Sequence, residues 1–251
     1  LLEMIFGAQV VLQVPSSLVR LAKSISPRLQ VTTDYYEFVK TTGEKCEFVC
    51  PIMSLPLAFK TTLDKIPNQT PYLFVDTQTK DYWLNIIGNS NNNSLKNSKS
   101  LKVGIAWRGS GHYAGKSNHK RDIPFHQILD LILGLGSKHL EFHSLQNNIT
   151  TEEINAIEVN NIKLHSHASN LNDFYETAGL IEALDLVISI DTAVAHLAGA
   201  LGKSVLKLIP EPPDFMSLVG INTCFWYPNT ILIRQKMSGV WPIGEIRRKL
   251  L

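Results

Sequence analysis

The segment LDLVISIDTAVAHLAGALGKSVLKLIP, residues 184–210, constrains the fold more than any other stretch of this chain. Leu186, Val187, Ile188, Ser189 and Ile190 form a short run rich in β-branched residues between Asp185 and Asp191. Such a run reads as a strand buried on both faces, the kind from which parallel sheets are built. Asp191 and Thr192 offer N-cap chemistry, and Ala193 to Leu201 is a run of helix formers and small residues that stops at Gly202. Lys203 leads into a second strand, Ser204 to Ile209, ended by Pro210. The segment is therefore expected to be one βαβ unit with a right-handed crossover.

Ligands of open α/β sheets sit beyond the carboxyl ends of the strands, where helix N-termini present unpaired N–H groups and a partial positive charge. The turn Asp191-Thr192-Ala193 has no side chain large enough to block a phosphate, and Thr192 can add a hydroxyl donor. His196 lies one turn further along the same helix face. The pattern alone leaves two readings open: Asp191 and Thr192 cap the helix, or the turn holds a phosphate.

A net charge of +2 with 18% charged residues shows none of the basic excess of a nucleic-acid binder, which leaves small molecules as the expected partners. Cys46, Cys50 and Cys224 cannot all pair, and a single C-x-x-x-C lacks the second ligand pair of a structural zinc site, so a reducing cytoplasm is expected. No apolar run approaches ~18 residues, and no basic region with a cleavage site opens the chain. The start at Leu1, with helix-like residues before a strand at Gln9 to Val14, is the expectation of a fragment.

Ser16 and Ser17 are expected to cap a helix before a strand at Leu29 to Thr33. A further strand is expected at Phe48 to Ile52, with a helix over Ser54 to Thr62. The run GNSNNNSLKNSKS, from Gly88 to Ser100, cannot bury enough apolar surface to fold and is expected to link two domains. Beyond it, Lys102 to Trp107 reads as the first strand of the second domain. Its loop carries Gly109, Arg108, Lys116, Lys120 and Arg121 without the spacing of a dinucleotide fingerprint. A helix over Phe125 to Leu135 and strands at Leu140 to Gln146 and Ile162 to His165 follow. Asp173 opens a further helix, and Trp241 to Leu251 closes the chain with another. His165-x-His167 shows no evident third ligand for a metal.

DTAVAHLAGALGKSV, with the apolar strand before it and TAGLIEALD upstream, resembles the signature of bacterial glycosyltransferases related to the ADP-heptose:lipopolysaccharide heptosyltransferases. The resemblance is strongest to the glycosyltransferase-like region that follows tetratricopeptide repeats in many bacterial proteins. CPIMSLPL from Cys50, TTLDKIP from Thr61 and PYL from Pro71 match that group's C-P-L-L-S-L-P, T-T-L-x-x-I-P and P-Y-L. Trp107, Gly109, Arg121, Ile123 and Pro124 fit its W-x-G loop, and Leu140 to Gln146 its F-x-S-L-Q strand. Asp173 to Ala178 fits D-F-x-D-T-A with Glu176 in place of aspartate. Glu211 to Phe215, Phe225 to Pro228 and Ile231 to Gln235 resemble its Pro/Asp/aromatic, W-Y-P and L-F-R-Q segments.

The resemblance implies an α/β fold of two Rossmann-like domains facing a cleft, the GT-B arrangement, with the first domain truncated at its N-terminus. Its divisions would be an acceptor-side domain over 1–87, a linker over 88–100 and a nucleotide-sugar domain over 101–251. It implies glycosyl transfer from a nucleotide-diphosphate sugar to an unknown glycan, lipid or protein acceptor, inverting, with neither metal nor cofactor. Asp191, Thr192, Ala193, His196, Lys120 and Arg121 would hold the donor diphosphate. Trp107, Gly109, Ser144, Gln146 and Thr177 would line the donor cleft. The catalytic carboxylate of heptosyltransferases follows a glycine-rich turn after the first strand, and its equivalent is expected upstream of Leu1. Two rival readings are a non-catalytic nucleotide-binding or interaction module of a repeat protein, and a sugar-nucleotide epimerase.

Overall fold

The computed structural model of the chain describes residues 7–89, 100–109, 121–136, 139–237 and 239–250. Six parallel strands form the main sheet: β3 (Leu101–Ala106), β4 (Leu140–Ser144), β5 (Leu164–Ser166), β6 (Leu186–Ile190), β7 (Ser204–Ile209) and β8 (Thr230–Arg234). Their spatial order is β5-β4-β3-β6-β7-β8. The chain winds outward from β3 in one direction and then in the other, which is the doubly wound α/β arrangement. The order reverses between β3 and β6, where Ala106 pairs with Ser189. A crevice opens at such a switch point on the carboxyl edge.

Helices cover both faces of this sheet. On one, α5 (Phe125–Leu135) and α9 (Ile243–Leu250) close over Val103, Ile105, Ile188, Leu206, Leu208 and Ile233. On the other, α4 (Thr77–Asn89), α7 (Phe174–Glu182) and α8 (Ala193–Ala200) pack on Val187, Val205 and Leu184. The helix α6 (Thr151–Val159) lies between β4 and β5 in sequence, and a Thr150/Glu153 capping box starts it. Strands covered on both faces need apolar residues at successive positions, and that is why the runs in this half lack alternation.

The N-terminal part is a β-α-β unit, in which β1 (Val11–Gln13) pairs in parallel with β2 (Gln30–Thr32). Between them a 3-10 turn at Ser16–Leu18 leads into α1 (Val19–Ala22), with no serine hydroxyl capping either element. The helix α2 (Tyr35–Thr42) follows, capped by Asp34. The strand expected at Phe48 to Ile52 does not form. Phe48 and Val49 are 83% and 78% exposed, Pro51 has no N–H to give a ladder, and a 3-10 turn takes Ile52–Ser54. The helix expected over Ser54 to Thr62 shrinks to α3 (Leu55–Ala58), which ends before Lys60 at a φ of 50°. Residues 1–6 and 90–99, including most of the polar run, lie outside the described residues.

The two parts meet along α4. Trp83 is fully buried, and its indole lies on Gly179 of α7, where a Cβ would fall 2.5 Å from Trp83 Cδ1. Trp83 Nε1 donates to Glu176 at 3.1 Å, and Arg20 of α1 pairs with Asp173 and Glu176 at 3.0 Å each. Tyr72 N donates to Ala200 O at 3.0 Å, which fastens the segment before α4 to the end of α8.

Candidate functional site

At the carboxyl end of β6, Asp191 and Thr192 turn the chain into α8. Thr192 occupies the N-cap position with φ −139° and ψ 172°, yet no side chain caps the helix. Its hydroxyl lies 3.2 Å from that of Ser189. Of the two readings open for this turn, capping by the Asp191 or Thr192 side chain is not what the structure has. The first-turn N–H groups have no partner within a helix, and the N-cap side chain takes none of them here.

Asp191 turns inward instead. Only 7% exposed, it accepts from Lys207 Nζ at 2.7 Å and stands 3.3 Å from His196 Nε2. Burial works to raise the carboxyl pKa, but the His196 hydrogen bond and the Lys207 charge outweigh it and bring it down to about 2. The group is a carboxylate at any working pH. His196 Nδ1 lies 3.2 Å from the hydroxyl of Tyr227. With Nε2 donating to Asp191, Nδ1 accepts from that phenol; the Lys207 ammonium, 3.3 Å from Nε2, then donates to Asp191 and not to the imidazole. Burial, and then the neighbouring Tyr72, push the Tyr227 phenol well above its ordinary pKa, so it stays a donor. Its ring rests against Gly199, where a Cβ would fall 2.7 Å from Cδ2. A glycine there lets helix and ring approach.

The end of β3, beside β6, is held by a separate network. The side-chain oxygen of Gln146 accepts from Trp107 N at 2.9 Å and Arg108 N at 3.1 Å, while Gln146 N donates to Ser144 Oγ at 3.2 Å. Trp107 is 1% exposed, with its indole N–H on Glu153 at 2.7 Å; Arg108 also pairs with Glu153. Gly109 N donates to Asp122 at 3.0 Å and Ile123 N to Trp107 O at 2.8 Å, so the two ends of the basic loop are pinned together. The guanidinium of Arg121 lies over Gly109, leaving no room for a Cβ, and its buried Nε has no hydrogen-bond partner. Among the described residues no carboxylate pairs with Arg121. Gly109 follows β3, the strand that pairs with β6, so Arg121 lies beyond the end of the strand next to the one that leads into Asp191.

The structure thus brings Asp191, Thr192, Ala193 and His196 onto one turn, with Gly109 and Arg121 on the adjoining strand end. It places Trp107, Ser144 and Gln146 inside, where they fix the loop rather than line an open surface. Thr177 sits near the start of α7, with its hydroxyl on Asp173 O at 3.1 Å. Lys120 and Lys116 lie outside the described residues. Lys207 and Tyr227 were missed as site residues. For Lys207 a signal existed: a charged residue inside a strand otherwise readable as buried on both faces. His165 and His167 join His143 in a stack, and among the described residues no group of three or more His, Cys, Asp or Glu could hold a metal.

No family model matches the chain, and no curated protein matches it. Solved structures do. The E. coli ADP-heptose LPS heptosyltransferase II matches with a TM-score of 0.51 at 15% identity, over 76% of this chain and 56% of that one. What they share is the fold. E. coli heptosyltransferase WaaC with ADP aligns over 97% of this chain and 72% of its own, at 13% identity and a TM-score of 0.46. A glycosyl transferase family 9 protein from Veillonella parvula aligns over 70% and 46%, at 12% and 0.47. The chain spans about half the length of heptosyltransferase II. Among the described residues no helix is long and apolar enough to cross a membrane.

Proposed function

We propose that the six-stranded unit is the donor-binding part of a glycosyltransferase, and that the α8 N-terminus receives the diphosphate of a nucleotide-diphosphate sugar. The observation that carries this reading is the helix start at the switch point, with no side-chain cap, and Arg121, which no carboxylate pairs among the described residues, beyond the end of the neighbouring strand. Backbone N–H groups and a guanidinium are suited to a diphosphate, and they become more favourable as charge grows on it when the glycosidic bond breaks. The fold shared with heptosyltransferase II supports the reaction class.

Transfer in this reading is inverting, with an acceptor hydroxyl losing its proton to a carboxylate on the acceptor side. The departing diphosphate is balanced by Arg121, Lys120 and the helix, with no step through a metal. A link to tetratricopeptide repeats and a cytoplasmic location belong to the same proposal. Titration calorimetry with UDP, GDP and ADP tests it: at least one should bind in the millimolar range or tighter. A folded protein that binds none of them removes the donor site. Chelator should leave that binding unchanged.

A further inference from the structure

A lysine in a buried strand is costly to desolvate, and β7 places one directly behind the proposed diphosphate site. Lys207 is 2% exposed. It pairs in register with Ser189 of β6, and its ammonium reaches Asp191 Oδ1 at 2.7 Å and His196 Nε2 at 3.3 Å. Asp191 is at the same time the residue immediately before the N-cap of α8. A bare buried carboxylate at that position would oppose any anion arriving at the helix start.

We propose that Lys207 is the charge-compensating positioning residue of the donor site: it neutralises Asp191 so that the start of α8 can accept a diphosphate. The inference rests on the donor-site reading above. The groups facing His196 are Asp191 from the end of β6, Lys207 from β7 and the phenol of Tyr227 from the segment before β8, with Tyr72 and Cys224 beyond that phenol. With Lys207 present, Asp191 and Lys207 together carry no net charge.

The test compares the affinity of wild type, Lys207→Met and Asp191→Asn/Lys207→Met for UDP, GDP and ADP by titration calorimetry. Lys207→Met leaves the Asp191 carboxylate uncompensated and should bind about tenfold more weakly than wild type, whereas the double variant, with neither charge, should return to within about threefold of wild type. A merely structural lysine would leave the double variant as weak as Lys207→Met, which overturns the proposal, as does unchanged affinity of Lys207→Met. If Lys207→Met does not fold, Asp191→Asn is compared with Asp191→Asn/Lys207→Met. The first should bind about tenfold tighter, because its lysine is uncompensated, and equal affinities overturn the proposal. Failure of wild type to bind any of UDP, GDP and ADP removes the donor site itself and this inference with it; a binding wild type with an unaffected Lys207→Met removes only the inference.

Discussion

The two ends of the chain use similar sequence material with opposite results. Between β3 and α9, nearly every apolar run becomes a strand or helix with a partner on each side, and the strands vanish into three core clusters. Between β2 and α4, Phe48, Val49, Ile52, Met53 and Leu57 are as apolar, yet all are exposed. The difference lies in partners. A strand gains from its side chains only when a neighbouring strand takes its N–H groups and a helix covers its face. In the N-terminal part, two three-residue strands pair with each other, and what holds this part in place is the seam along α4.

That seam is where the comparison breaks most visibly. Trp83→Ala removes a fully buried indole, empties the space over Gly179 and takes one of its partners from the Glu176 carboxylate, which keeps Arg20. The expected loss is about 3–5 kcal/mol of unfolding free energy, read by urea denaturation. A loss under about 1 kcal/mol would mean that α4 does not anchor the two parts.

Acid should attack the same seam. The rings of His143 and His167 stack 5.3 Å apart, and Trp83 meets His167 edge-on. Burial, followed by the nearby His165, holds His143 down to about 3 and His167 to about 4. Both lie below the ordinary 6.5, so the folded state favours the neutral rings, and the unfolded chain binds protons first. Stability is therefore full above about pH 6.5 and falls as pH drops toward 4, by roughly 1.4 kcal/mol per pH unit for each imidazole. Asp191 adds to the loss only below about pH 4, as it is protonated toward its folded value of about 2. Melts of His143→Leu between pH 6 and 4.5 should show about half the wild-type slope; an unchanged slope would place the acid sensitivity elsewhere.

A smaller effect sharpens the contrast at the sheet edge. Arg121 is a cation with no carboxylate partner among the described residues, whereas Arg108, one strand-end position away, is spent on Glu153. Arg121→Ala should weaken diphosphate binding by about 1.5–3 kcal/mol with little change in melting temperature. Arg108→Ala should do the reverse, since it unpairs a buried carboxylate. Equal effects on both quantities would erase the division between binding and bracing residues.

Most of the doubly wound half could be read from residue types. Strand β6 and helix α5 have the expected ends, because caps, glycines and apolar runs agree there. The Phe48 to Ile52 strand was misread because periodicity registers apolar character and not whether a partner exists. At the site, the Asp191 turn and Arg121 were legible from position at a strand end. The inward rotation of Asp191 was not, because it depends on Lys207, brought alongside by the β6 and β7 register. Trp107, Ser144 and Gln146 stand at the carboxyl edge as expected, but sequence position says nothing of whether a side chain faces solvent or closes a loop.

The smallest predicted effect tests the exposed end of the comparison. Phe48 is 83% exposed, in a segment with neither helix nor ladder around it. A side chain already in water loses little when cut back, so Phe48→Ser should change unfolding free energy by no more than about 0.5 kcal/mol. The same substitution at a core position such as Ile188 would leave a cavity and an unsatisfied hydroxyl, costing several times as much. If Phe48→Ser instead costs 2 kcal/mol or more, the ring is covered in solution. The contrast between the two parts would then be one of what each packs against, and the apolar row from Phe48 to Leu57 would have to be treated as a buried face.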